Sequence, residues 1–317
     1  MRAVVNGLKL RQSKIHADKD VLGVDSTLIS SLLDDALQRD VPHTDRTAVE
    51  RYRADAAVVV DFLHFNRGDT GVRLRADDLV AFRDTILVRK RKLKAGTGVA
   101  MNRVNRVPID AVDGFALLLA KWTLLRNALG LLTGGAAYDD TGMSSLWRLP
   151  WERASTSATW KQSKMTDFLN LSLTYAGITA PDGYKYTYHS LRHGSATAAH
   201  AIYVPERRIR TMGNWSGGTS KGGQDAIDGY IDELKPATAA DYRCFGWLAP
   251  APPPHLRYTC KWTAAAATPQ SPTVVDTVLG EMTRSYQRAS RNTALVSSTV
   301  LSTPGSTDTE PATDWSP

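Results

Sequence analysis

A change of hydrophobic period along the chain constrains the fold most. Residues 26–38, "STLISSLLDDALQ", and 46–66, "RTAVERYRADAAVVVDFLHFN", carry apolar residues at helical spacing. Between 72 and 109 the pattern is different. "TILVRKRKLK" starts β-branched and then alternates, "NRVNRVPI" alternates again, and "AGTGVAM" lies between them. Side chains of a strand face opposite sides in turn, so this stretch reads as a β-hairpin. Residues 110–132 return to helix before "TGGAAYDDTG" breaks it. The expected class is therefore mainly α with a small antiparallel β-sheet (α+β).

The hairpin is also where the charge lies. From Arg89 to Arg126 the chain carries Arg89, Lys90, Arg91, Lys92, Lys94, Arg103, Arg106, Lys121 and Arg126 against Asp110 and Asp113. That excess equals the net charge of the whole 317-residue chain, +7. A basic patch points to an anionic partner, with double-stranded DNA the first candidate. Arg89, Lys90, Arg91, Lys92, Arg103 and Arg106 are the expected backbone-binding residues.

Two cysteines, Cys244 and Cys260, are too few for a disulfide framework or a zinc knuckle, and fit a reducing, intracellular compartment. The most apolar segment, "FALLLAKWTLLRNALGLL", is interrupted by Lys121 and Arg126, so it reads as a core helix and no membrane role follows. Past residue 250 the chain turns to Pro, Ser, Thr and Ala, a composition that cannot repay ordering. One island there, residues 273–289, has helical spacing and reads as a marginal helix.

The chemistry gathers in "YHSLRHGSATAAH", residues 188–200. On a helix starting near His189 or Ser190, with Ser190 as the cap, His189, His193 and His200 share a stripe. Histidines at i and i+4 are a zinc geometry, but Arg192 on the same side opposes a dication and no cysteine pair completes the shell. The other pairing is His189 with Arg192 at i and i+3, which suits a phosphate: the guanidinium forks two oxygens and the imidazole donates or moves a proton. Downstream come "VPERRIRTMGNWSGG", a helix expected to start at Pro205 and end before Gly213, and a helix carrying "QDAIDGYIDEL".

This run resembles the catalytic domain of the tyrosine recombinases, the phage-integrase family. The family shows H-x-x-R, then a helix ending in Gly-x-His or Gly-x-Trp, then a nucleophilic tyrosine; here these fall on His189, Arg192, Trp215 and Tyr230. An upstream arginine at a helix end, before a strand entry, falls on Arg67, with "LRADDL" as the entry and Arg75 as its rival. The family's hairpin lysine falls on Lys94, with Lys92 its nearest rival. Tyr242 is the rival nucleophile, further from Trp215 than the family pattern allows.

The resemblance implies the tyrosine recombinase catalytic-domain fold over 45–249 and a DNA strand transferase working as a site-specific recombinase or integrase. Residues 1–44 would be a remnant of the family's separate DNA-clamping region and linker, and 250–317 a largely disordered tail. It implies a homotetramer on DNA and no cofactor or metal. The Ser/Thr/Pro-rich tail points to a eukaryotic mobile-element type, and hence to the nucleus. In the implied chemistry Tyr230 attacks a DNA phosphate, giving a 3′-phosphotyrosyl link and a free 5′-hydroxyl. Arg67, Arg192, His189 and the Trp215 indole N–H stabilise the growing charge, Lys94 protonates the leaving oxygen, and His189 helps deprotonate Tyr230. A catalytically silent DNA-binding protein and a type IB topoisomerase-like enzyme are the alternatives.

Overall fold

The computed structural model describes residues 21–75, 78–82, 85–90, 103–130, 145–152, 161–215 and 227–262. In chain order these form α1 (Ser26–Gln38), α2 (Arg46–Leu63), the single turn α3 (Gly68–Gly71), β1 (Leu79–Phe82), β2 (Thr85–Lys90), β3 (Arg103–Pro108), α4 (Phe115–Ala128), α5 (Ser163–Tyr175), α6 (Tyr188–Ala201), α7 (Glu206–Gly213), a 3-10 turn Asp228–Tyr230, and α8 (Ala239–Phe245). The class is the expected one: mostly helical, with a small antiparallel sheet. The sheet has three strands in the order β1-β2-β3, so β1 adds an edge to the expected hairpin.

Helix α2 is the axis of the molecule. "ADAAVVVDFL" has small or apolar residues on every side, so nothing from Ala54 to Leu63 reaches solvent, and α1, α4, α5 and α6 all pack on it. Its charged residues are buried with it. Arg53 reaches Glu152 at 2.6 Å and Asp55 receives Arg39 at 3.0 Å, whereas Asp61 forms no salt bridge among the described residues.

Helix α1 lies within the same core through Ile29, Leu32, Leu33 and Leu37, so residues 24–38 pack as one body with the region after 45. The preceding segment runs along α6: the Val24 N–H donates to the Ser190 carbonyl at 2.9 Å. Gly194 permits this approach, because a Cβ there would fall 1.8 Å from the Val24 carbonyl oxygen. Gly194→Ala is therefore expected to cost about 3 kcal/mol, read as a lowered urea midpoint with unchanged slope, because backbone rather than a flexible side chain must yield.

Residues 250–262, which composition places in the tail, are docked on the helices. The Trp262 indole N–H donates to Asp34 at 2.8 Å, and the backbone N–H groups of Lys261 and Trp262 donate to the two Asp113 oxygens. Burial opposes the charged form of Asp34, but hydrogen bonds from Arg243, Lys261 and Trp262 outweigh it and hold the carboxyl below its usual range. The island at 273–289 lies outside the described residues. Among the described residues no helix is long and apolar enough to cross a membrane.

Candidate active site

The carboxyl ends of α2 and α7 meet beneath the sheet, and two buried cations join them. Lys90 Nζ donates to the His64 and Met212 carbonyls, at 2.6 Å each, and Asn105 Nδ2 donates to the same pair at 3.3 and 3.2 Å. One residue further along each segment, Arg192 Nη1 donates to the Phe65 carbonyl at 2.9 Å and Nη2 to the Gly213 carbonyl at 2.7 Å. Last-turn carbonyls lack helical partners and carry the negative end of the helix dipole, so cations are the natural fasteners there.

Lys90 is 3 % exposed. It was expected among the DNA-contacting residues, and the strand register explains its position. Ile86, Val88 and Lys90 share the inner face of β2, while Thr85, Leu87 and Arg89 face outward. On β3 the same alternation buries Asn105 and Val107 and exposes Val104 and Arg106. Arg89 and Arg106 thus lie on the outer face. Arg103 pairs with Lys90 in the ladder. Arg91, Lys92 and Lys94 lie outside the described residues.

Helix α6 starts with a capping box. The Thr187 side chain caps, and Ser190, expected to be the cap, fills the third position and bonds back to the Thr187 N–H. That start sends Arg192 into the core, 2 % exposed, and leaves His189 at the surface with its ring 4.2 Å from that of Tyr188. The two residues of the H-x-x-R pair therefore occupy different environments.

The Arg192 guanidinium lies 3.8 Å from the centre of the Trp215 ring, and the Tyr230 ring stands edge-on to Trp215 at 5.5 Å. The Gly-x-Trp spacing has a direct cause: a Cβ on Gly213 would fall 1.7 Å from the Trp215 ring, so only glycine lets the indole fold back onto the arginine. Asn214 completes the reversal in the left-handed region at φ 54°. The helix starts at Glu206, with Pro205 as its cap, and includes Gly213.

Tyr230 is half-buried in the 3-10 turn, where a helix was expected, and the loop before it (216–226) lies outside the described residues. Tyr242 is buried within α8. Arg67 is half-buried at the start of α3, and its charge acts on Arg192. Burial and the Arg67 charge bring Arg192 down to about 10, with Tyr230 and Asp61 pulling the other way. Neither arginine is salt-bridged to a carboxylate among the described residues. Two neighbouring guanidiniums in this state favour an anion between them.

The structure thus brings Arg67, Arg192, Trp215 and Tyr230 together, with His189 at the rim. It adds residues not singled out from the sequence. His193, considered only as a zinc ligand, has its ring 5.4 Å from that of Tyr230. Burial lowers its proton affinity, opposed by the Gly229 carbonyl and Asp232. Tyr188 packs onto Gly68, where a Cβ would fall 2.6 Å from its side chain. Its phenol is pushed up by burial and by Tyr230 and Asp69. Among the described residues no group of histidine, cysteine and acidic side chains could hold a metal.

No family model matches this sequence, and no curated protein matches it significantly. Among solved structures it is similar to the XerH site-specific recombinase bound to a palindromic difH substrate in a post-cleavage complex. That match has 12 % identity and a TM-score of 0.45, over 73 % of this chain and 51 % of that one. A pre-cleavage complex of XerH with difH matches at 14 % identity and a TM-score of 0.43, over 67 % and 50 %. The chain spans about half the length of these solved chains.

Proposed function

We propose that this chain is a DNA strand transferase of the tyrosine recombinase type, with Tyr230 as its nucleophile. One observation carries the reading: Tyr230 stands edge-on to Trp215 with its ring 5.6 Å from the Arg192 guanidinium, on which Arg67 also acts. A phenol next to a buried arginine, with a second arginine acting on that one, suits attack on a phosphodiester. Attack by the Tyr230 oxygen on phosphorus forms the phosphotyrosyl bond and breaks the bond to the 5′-oxygen, which leaves with a proton. The phosphodiester energy is conserved, so resealing needs no ATP.

Arg67 and the Arg192 N–H bonds not used on carbonyls stabilise charge on the non-bridging oxygens, with His189 and the Trp215 indole N–H as further donors. Lys94 is the proposed acid for the leaving oxygen. His189 is the proposed acceptor of the phenol proton. Arg89 and Arg106 on the outer face of the sheet, with Arg91, Lys92 and Arg103, would hold the duplex backbone with salt-sensitive affinity. Assembly would be as a homotetramer on two duplexes.

Covalent trapping on nicked suicide duplexes tests this. The wild type is expected to yield a denaturation-resistant DNA adduct and Tyr230→Phe none. Binding without an adduct would identify a silent DNA-binding protein. Adduct formation with relaxation of supercoiled plasmid and no strand exchange would identify a topoisomerase-like enzyme.

A further inference from the structure

A nucleophile on a short turn has to be held to be useful. The 3-10 turn Asp228–Tyr230, with the Tyr230 N–H on the Ile227 carbonyl, is too short to fix itself through internal bonds. What holds it comes from α6. The Thr197 hydroxyl donates to the Tyr230 carbonyl at 3.0 Å and accepts from the Asp232 N–H at 3.1 Å, so one side chain satisfies backbone groups on both sides of Ile231. One helical turn earlier, His193 lays its ring 5.4 Å from that of Tyr230, with the Gly229 carbonyl acting on the imidazole. The spacing of 193 and 197 is i and i+4, which puts both side chains on one face of the helix. Arg192, the immediate neighbour of His193, presents its guanidinium to the same tyrosine from the core side.

We infer that His193 and Thr197 are positioning residues: together they form a seat on α6 that holds the Tyr230 turn in register with Arg192. This rests on the strand-transferase reading for its purpose, though not for its geometry. The seat holds backbone groups on both sides of Ile231, so it fixes the chain around the nucleophile. Neither residue needs to touch DNA. Small displacements of a reacting group are expensive in rate, so a loosened seat should slow cleavage far more than it weakens DNA binding.

The test is Thr197→Val, which keeps shape and removes both bonds, beside Thr197→Ser, which keeps the hydroxyl. Amide hydrogen exchange on the DNA-free protein reads the seat directly. Asp232 should lose protection in the valine variant and regain it in the serine variant. The Val24 amide, bonded to Ser190 on the same helix, should stay protected in both and so reports that α6 is intact. On suicide DNA the valine variant should form adduct about 100-fold more slowly at unchanged DNA affinity, with serine restoring the rate. His193→Phe, which keeps a ring and loses the donor, should also be slow.

Unaltered Asp232 protection in Thr197→Val would overturn the inference, as would a wild-type adduct rate. If the wild type itself forms no adduct, the strand-transferase reading fails instead, and the exchange result alone decides whether the seat exists.

Discussion

Arg192→Met is expected to lower the unfolding free energy by about 3–5 kcal/mol, as well as to abolish adduct formation. The arginine is buried, and its two terminal nitrogens hold carbonyls from different helices, Phe65 after α2 and Gly213 at the end of α7. Methionine fills much of the same volume but leaves both carbonyls without a donor in a place water does not reach, and it removes the cation stacked on Trp215. The neighbouring clasp has a reserve, because Asn105 shares both carbonyls with Lys90. The Arg192 clasp has none among the described residues. Arg192→Lys should fall between wild type and methionine, since an ammonium keeps the charge but loses the planar fork that spans two carbonyls and lies flat on an indole. Urea unfolding followed by tryptophan fluorescence measures both. A midpoint for Arg192→Met equal to that of wild type would show that the helix ends are held together by other means.

Much of this site could be read from residue spacing, and the misplaced parts share a physical cause. The H-x-x-R helix, the Gly-x-Trp turn and Tyr230 are local signals: each depends on neighbours within a turn or two, so their order along the chain predicts their meeting in space. Lys90 was misassigned because a run of basic residues suggested a surface. The alternation Ile86, Val88, Lys90 already placed it on the inner face, and what that face would meet depends on carbonyls at 64 and 212, far along the chain. The seat formed by His193 and Thr197 was illegible for the same reason, since a helix face does not state which loop will cover it. Ser190 lost the cap to Thr187 by one turn of side-chain geometry, a difference that composition does not resolve. The docking of Trp262 onto Asp34 and Asp113 runs against the polar, proline-rich character of its surroundings, and shows one aromatic with good partners ordering a short stretch of weak composition.

Asp61→Asn is expected to flatten the dependence of stability on pH between about 6.5 and 8. The carboxyl lies wholly inside α2, pressed so close to Gly71 that a Cβ there would fall 1.9 Å from its oxygen. Burial raises it to about 8, against the pull of Asn66, Lys90 and Arg192 and with a further push from Asp69. The folded protein therefore keeps a proton there that the unfolded chain has released, and this contribution is lost as pH rises from about 4 to 8. His64, three residues on and also wholly buried, acts in the opposite sense. Burial, with Lys90 adding to it, lowers it to about 3, so the unfolded chain takes up a proton that the folded protein refuses, and stability falls as pH drops from about 6.5 to 3. The two slopes oppose each other between about 4 and 6.5, and above that Asp61 acts alone. At about 1.4 kcal/mol per pH unit, the wild type should lose about 2 kcal/mol between pH 6.5 and 8. The asparagine variant should lose little over that range and should keep the decline below pH 6.5 that belongs to His64. A wild-type profile already flat from 6.5 to 8 would mean that Asp61 is ionised in the folded protein, as the shared counter-ion of Lys90 and Arg192. Asparagine would then destabilise the fold at every pH in that range, because two buried cations would have lost their acid.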